Sequence, residues 1–186
     1  MAALDFVRRG KRDVHVLHFD HGTEHGREAR RFIEDYCKSE RILLTVSQLR
    51  RDRRSDESLE EFWRNERIRF FQEHRSAPIV TAHHLDDAIE WWIFTSLHGN
   101  PRLMSRRNSD TGVIRPFLAT PKSELIAWSE RKSVPHVSDP SNESRNHARN
   151  RIRHDIVPQA LLINPGLHTT IRKLIIGDSN GKDNSR

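Results

Sequence analysis

Apolar residues recur along this chain in two rhythms that take turns. Short β-prone runs stand at Val14 to Phe19, Ile42 to Ser47 and Ile79 to Ala82, and they predict strands over 14–19, 42–47 and 79–82. Around them, residues 2–10, 24–39, 58–75 and 85–98 space their apolar side chains by three and four, which predicts helices. In the last of these the apolar positions are Leu85, Ile89, Trp92, Ile93 and Leu97. An order of α, β, α, β, α, β, α implies an α/β fold, a parallel sheet with crossover helices, and a mostly helical segment follows it. The third helix carries its own start signal. Ser58-Leu59-Glu60-Glu61 fits the Ser-x-x-Glu capping box, and Arg64 and Arg67 then lie one turn apart on one face.

Two stretches break the pattern. Between Gln48 and Glu57, Arg50, Arg51, Arg53 and Arg54 stand against Asp52, Asp56 and Glu57, too much charge to bury, which predicts a solvated and mobile loop. Residues 177–186 are rich in Gly, Ser, Asn and Asp and predict a disordered tail.

The sharpest chemical signal sits where the third strand meets the fourth helix. Residues 78–90 read Pro-Ile-Val-Thr-Ala-His-His-Leu-Asp-Asp-Ala-Ile-Glu. His83, His84, Asp86 and Asp87 therefore fall in a strand-to-helix turn, the place where ligands bind in a parallel α/β sheet. Carboxylates beside a helix N-terminus can hold a hard cation such as Mg²⁺, and neighbouring histidines can donate to phosphate oxygens. Asp86 and Glu90, four apart, share a helical face. The same residues also suit a structural role, the aspartates favouring the helix dipole and the histidines lying solvated in the turn.

Other segments extend the pattern in order. Asp20-His21-Gly22 follows the first strand. Trp63-Arg64-Asn65-Glu66-Arg67 lies within the third helix. Ile114-Arg115-Pro116-Phe117-Leu118 precedes Lys122, Glu124 and Leu125. Asp139-Pro140-Ser141-Asn142 comes before Arg149-Asn150-Arg151-Ile152-Arg153, with Ile156-Val157-Pro158 beyond. Together with His83-His84-Leu85-Asp86-Asp87, this series resembles the lysidine synthase family of N-type ATP pyrophosphatases, within the PP-loop superfamily. The resemblance runs from the first residue to about Pro165, and Trp63 stands where the family usually has alanine.

The resemblance implies a Rossmann-like, adenine-nucleotide alpha hydrolase-like core over 1–118 that lacks its first strand. A helical, basic, catalytic and tRNA-contacting segment would follow over 119–176. It implies ATP-dependent ligation of free L-lysine to the wobble cytidine (C34) of tRNA(Ile), through an adenylated tRNA intermediate, with ATP and Mg²⁺. Carried over residue by residue, the catalytic roles fall to His83, Asp86, Asp87 and Arg64. ATP binding falls to Asp20, His21, Gly22, Arg64, Arg67 and His83, and metal binding to Asp86 and Asp87. Contacts with lysine or tRNA fall to Glu90, Arg115, Asp139, Asn142, Arg149, Asn150, Arg151 and Arg153. For Arg64 and Arg67, pairing with Glu60 and Glu61 is the plainer alternative.

Two features of the family lie outside this sequence. Its members open with a strand and a Ser-Gly-Gly-x-Asp-Ser loop that cradles the pyrophosphate of ATP; these 186 residues contain neither, and Met1 to Val7 resembles the helix that follows the loop. A misassigned start, a split gene with a second polypeptide supplying the loop, and a decayed copy all account for this. The competing expectation is accordingly a non-catalytic tRNA-binding remnant, or one half of a split enzyme. Many members also continue into C-terminal domains that hold the tRNA body, so selection of tRNA by this chain is expected to be weaker or to depend on a partner.

Composition and charge add to this picture. Hydrophobic residues make up 34% and mean hydropathy is −0.79, and no apolar run approaches the roughly 20 residues that cross a bilayer. No signal peptide opens the chain, so a cytoplasmic protein without a membrane partner is expected. The net charge of +6 resides in the second half; residues 1–101 are nearly balanced. Lys and Arg supply much of nucleic-acid affinity, so Arg102, Arg106, Arg107, Arg145, Arg149, Arg151 and Arg153 are the expected RNA contacts, though each alone also suits a solvated surface. The one cysteine, Cys37, cannot supply the cysteine pair that related tRNA-thiolating enzymes use. The 12 histidines lack zinc-ligand spacing.

Overall fold

The computed structural model describes residues 1–49 and 51–181. They form an α/β structure that divides into two compact units. One comprises Leu4–Ile79 with Ser109–Gly112, and the other Met1–Ala3, Val80–Asn108 and the chain from Val113 onward.

The first unit follows the alternating pattern closely. Its elements are α1 (Ala2–Arg9), β1 (His15–Asp20), α2 (Glu24–Ser39), β2 (Leu43–Gln48) and α3 (Leu59–Glu73). β1 and β2 pair in parallel from His15 opposite Leu43 to Asp20 opposite Gln48, so α2 is the crossover that a parallel pair requires. Each long helix starts on a hydroxyl. Thr23 accepts from the Gly26 amide at 2.9 Å, and Ser58 accepts from the Glu61 amide at 3.2 Å. Ile33, Cys37, Phe62 and Phe70 are buried in this unit.

The loop before α3 departs from expectation. Arg51 donates to both carboxylate oxygens of Glu57, at 3.0 and 2.9 Å, and to Glu66 at 2.9 Å, and its guanidinium lies 4.6 Å from the Phe62 ring centre. Glu57 and Glu66 are buried. A buried carboxylate must be paired, so these two fix the loop to α3 instead of leaving it solvated. Arg50 lies outside the described residues.

The second unit is mostly helical. β3 (Ile79–Val80) leads to α4 (Leu85–Leu97), the short strands β4 (Arg107–Asn108) and β5 (Val113–Ile114), and α5 (Lys122–Arg131). A 3₁₀ turn at Pro140–Glu143 precedes α6 (Ala148–Arg151), a π-helical turn over Ile152–Ile156, α7 (Val157–Ile163) and α8 (Leu167–Gly181). Along α4, Leu85, Ala88, Ile89 and Ile93 form a buried stripe, and it packs on Leu118, Ile152, Leu167, Ile171 and Ile175. This packing joins α4 to the C-terminal helices within the second unit.

Two further expectations change. The third strand covers two residues instead of four, and its sheet is β3-β5-β4 instead of the one containing β1 and β2, because the Thr81 amide donates to the Ile114 carbonyl at 3.0 Å. The β4–β5 hairpin itself lies in a stretch whose strands are too short to show a period. The tail expected from residue 177 begins as helix, since α8 is anchored by Leu167, Ile171 and Ile175 and runs through Gly181; residues 182–186 lie outside the described residues. No described helix is long and apolar enough to cross a membrane.

Candidate functional site

The His-His-Leu-Asp-Asp turn is built as a helix cap. His84 is the N-cap of α4: its ring Nδ1 accepts from the Asp87 amide at 3.3 Å, and the Asp87 carboxylate accepts from the His84 amide at 2.9 Å. This is a reciprocal box with histidine in place of serine and aspartate in place of glutamate. It fixes the direction of both side chains. His83 is oriented by Thr81, whose hydroxyl lies 2.8 Å from its Nδ1.

Asp86 and Asp87 diverge from that turn. The Asp86 carboxylate accepts from the Lys122 amide at 2.8 Å and faces the His168 ring at 3.3 Å. Pro121, ahead of Lys122, offers no side-chain cap of its own, so Asp86 caps α5 from a distance. Burial pushes its carboxyl up, but the Lys122 and His168 bonds outweigh that and hold it below the ordinary aspartate value. Asp87 instead faces a cleft of about 360 Å³ lined by His83, Asn142, Arg149, Asn150 and Arg153, with Ala82 in its wall.

Both arginines of the cleft lining bond Glu90, which is only 3% exposed and is not itself part of the lining. Arg153 grips it with two bonds, at 2.7 and 3.1 Å, and Arg149 donates to it at 2.8 Å while a second guanidinium nitrogen bonds Asp87. The Glu90 bond in turn raises the Arg153 pKa. The arginines reach the same carboxylate because they stand four apart where α6 passes into the π-helical turn, whose wider turn is seen in the Val157 amide bonding the Ile152 carbonyl. Asn150 is buried and donates to the Ser144 carbonyl at 2.8 Å, and Asn142 lies 3.5 Å from Arg153.

The arginines expected to face RNA together therefore separate. Arg149 and Arg153 bond carboxylates, Arg149 while remaining exposed, whereas Arg151, two positions on and about 200° around a helix, is exposed on another side. Their spacing of four carried the signal. Arg115 lies apart from the cleft lining; it donates to the Ser105 carbonyl at 2.8 Å and burial lowers its pKa. Asp139 precedes the 3₁₀ turn, its carbonyl accepting from the Asn142 amide at 3.1 Å.

In the other unit, Asp20 is buried at the end of β1 and accepts from the Gly22 amide at 2.8 Å. Gly22 has φ +76°, a conformation that favours glycine. His21 is half-buried between Phe19 and Trp63, with ring centres 5.1 and 5.2 Å away. Burial, and then the charge of Arg67, pushes its pKa down. Arg64 and Arg67 are exposed on α3. The residues expected to bind ATP thus fall in both units.

As a cation site, Asp86 and Asp87 do not fit as a pair. All four of their oxygens face donors in different directions, and no group of three or more His, Cys, Asp or Glu among the described residues could hold a metal. Only Asp87 opens on the cleft. Thr81 and His168 were not among the expected site residues, and His84, expected to face phosphate, is a helix cap. The His84-x-x-Asp87 spacing was the available sign of a cap.

A model of the PP-loop domain matches residues 1–160. The chain belongs to the PP-loop domain family. It is similar to the tRNA(Ile)-lysidine synthase of Bacillus licheniformis, 32% identical over 158 residues, covering 78% of this chain and 33% of that protein. It is likewise similar to the tRNA(Ile)-lysidine synthase of Geobacillus kaustophilus, 32% identical over 168 residues, 83% of this chain and 36% of the relative. The chain spans about a third of the length of these curated relatives. Among solved structures it is similar to the U34-tRNA thiolase NcsA from Methanococcus maripaludis with its 4Fe–4S cluster. That match has a TM-score of 0.68 and 14% identity and covers 91% of this chain and 61% of that one; it establishes the fold alone. In this PP-loop chain Cys37 is buried and burial raises its pKa, the environment of a packed thiol and not of an activated one.

Proposed function

We propose that this chain takes part in ATP-dependent ligation of lysine to the wobble cytidine of tRNA(Ile), the α4–α6 cleft being where lysine meets the activated base. The observation that carries this reading is the cleft's composition. It brings together two of the blocks by which the chain resembles lysidine synthases, His83 to Glu90 and Asn142 to Arg153, across some sixty residues of sequence.

The chemistry proposed is adenylation of the cytidine at C2 with release of pyrophosphate, followed by attack of the lysine ε-amine at C2 with departure of AMP. Arg149 and Arg153 supply positive charge for the phosphate that leaves with AMP. Glu90 and Asp87, already paired with cations, are the groups that attract the ammonium of lysine, and Asp87 at the cleft surface is the acceptor for the proton lost before attack. His83, held by Thr81, donates toward the same space. In the other unit, Asp20, His21, Gly22, Arg64 and Arg67 are assigned to the nucleotide.

The test is incorporation of radiolabelled L-lysine into a tRNA(Ile) transcript in the presence of ATP. It is run with the chain alone and with a strand and Ser-Gly-Gly-x-Asp-Ser loop supplied ahead of Met1. Incorporation in the supplemented protein, abolished by Glu90→Gln, is expected. A supplemented protein that binds the tRNA yet transfers no lysine would instead favour a tRNA-binding remnant.

A further inference from the structure

At its open end the β4–β5 hairpin sets two arginines face to face. The antiparallel register pairs Arg107 with Ile114, and the Arg115 amide donates to the Arg106 carbonyl at 2.8 Å. The ladder therefore runs one step further, and Arg106 stands opposite Arg115. Residues directly opposite in such a pair project to one face with Cβ atoms about 5 Å apart, where like charges are destabilising. Nothing nearby relieves them, since no carboxylate pairs with Arg106, Arg107 or Arg115 among the described residues.

The two members of the pair differ. Arg106 is exposed and water screens its charge, whereas Arg115 is half-buried. Arg115 donates from Nη1 to the Ser105 carbonyl at 2.8 Å, a neutral acceptor, and its Nε is shut off from water with no acceptor among the described residues. Burial lowers its pKa, and no acid stands beside it to oppose the effect. A half-buried cation without a counter-charge costs folding free energy. Such local conflicts are kept where function uses them.

We propose that the Arg106–Arg115 pair binds a phosphate of an RNA backbone, which supplies the counter-charge that the protein withholds. Two guanidiniums on one face present planar forks of N–H donors, and these match phosphate oxygens two at a time. Arg107, exposed on the next position of the same hairpin, continues the positive charge along the strand. A row of cations suits the repeating charge of a nucleic acid better than it suits a single anion. Neither Arg106 nor Arg115 lines the α4–α6 cleft, so the pair holds the RNA and not its reacting base. The inference rests on the reading above in one respect, that the RNA is tRNA(Ile); free pyrophosphate is the other source of the same chemistry.

The experiment is titration of the full chain with a labelled tRNA(Ile) transcript across a salt series, followed by anisotropy, and with pyrophosphate by calorimetry. The proteins are the parent, Arg115→Met, Arg115→Lys and Arg106→Ala, and each is also melted without RNA. Arg115→Met is expected to lose about tenfold in affinity for the transcript and roughly 0.7–0.9 in the slope of log affinity on log salt, and Arg115→Lys less. Its melting temperature should stay level or rise, because an uncompensated charge has gone. Arg106→Ala, at an exposed position that folding tolerates, should lower affinity and slope in the same direction. An Arg115 that only pins the hairpin through Ser105 predicts the opposite, a lower melting temperature with affinity and slope unchanged in the folded protein. That result overturns the proposal, as does a parent that binds no transcript. So does pyrophosphate bound through Arg115 more tightly than the transcript, which assigns the pair to a free phosphate. Lysine transfer with RNA affinity independent of both arginines would remove this proposal and keep the ligation reading; Arg115-dependent RNA binding without lysine transfer would do the reverse.

Discussion

Glu90 is the carboxylate on which both arginines of the α4–α6 cleft converge. Its carboxylate, buried to 3%, is met by two arginines of unequal exposure, Arg153 at 24% and Arg149 at 46%. Breaking a buried pair from one side leaves an uncompensated charge and typically costs about 3–5 kcal/mol, whereas the more solvated partner of such a pair is replaced by water more cheaply. Arg153→Ala should therefore destabilise the protein more than Arg149→Ala, and urea denaturation of the two variants gives the order directly. Equal losses would mean that Glu90 is held by the protein backbone around α4 and not by its ion pairs. A second residue-scale effect concerns His18 and His21, both pushed below the ordinary histidine value chiefly by burial. A histidine whose folded-state pKa is depressed adds stability above its unfolded value, near 6.5, and loses it as pH falls toward the folded value. Thermal denaturation followed from pH 7.5 down to 5 should show the melting temperature falling, and the fall should shrink in a His18→Gln, His21→Gln double variant.

At the scale of elements, the two units differ in how well their packing could be read ahead of the structure. α2, β1, β2 and α3 lie within about two residues of the pattern because each is long enough for its period to dominate and because Thr23 and Ser58 mark two of the starts. β3, β4 and β5 have two residues each, too few for a period, so the hairpin in residues 107–114 was hidden. The motif residues at 83–87 were legible as a site, but their division of labour was not. That Asp86 caps α5 while Asp87 faces the cleft depends on Lys122 and Arg149, 36 and 62 residues away, and no local signal carries such distances. Arg51 was misread for the same reason, since its partners Glu57 and Glu66 only meet once α3 has formed. The helical packing itself makes a quantitative prediction. Ile171 on α8 is 1% exposed and packs in the cluster containing Ile89 and Leu85 of α4. Ile171→Ala should cost about 2–5 kcal/mol in chemical denaturation, and Ile176→Ala, at a site 43% exposed on the same helix, should cost far less. Similar losses at both would mean that α8 is not anchored on α4.

For the molecule as a whole, the net charge of +6 is a poorer guide to where a polyanion would bind than the placement of the individual arginines is. A lysine or arginine adds to the salt dependence of RNA binding when it neutralises phosphate and releases counterions. Arg149 and Arg153 are already engaged by Glu90 and Asp87, so removing either should damage the cleft without removing a contact to the RNA backbone. Arg151, Arg106 and Arg107 are exposed and are the side chains whose charge meets solvent or polyanion. Under the tRNA reading, the slope of log affinity for tRNA against log salt should fall by roughly 0.7–0.9 for each of Arg151→Ala, Arg106→Ala and Arg107→Ala that touches phosphate. Arg153→Ala should instead lower lysine transfer while leaving that slope in place. Fluorescence anisotropy with labelled tRNA across a salt series separates the two effects. If the slope were unchanged in the three exposed variants and fell in Arg153→Ala, Glu90 and Asp87 would have to release the arginines to the RNA, and the cleft would be a tRNA-binding surface and not the place where lysine is joined.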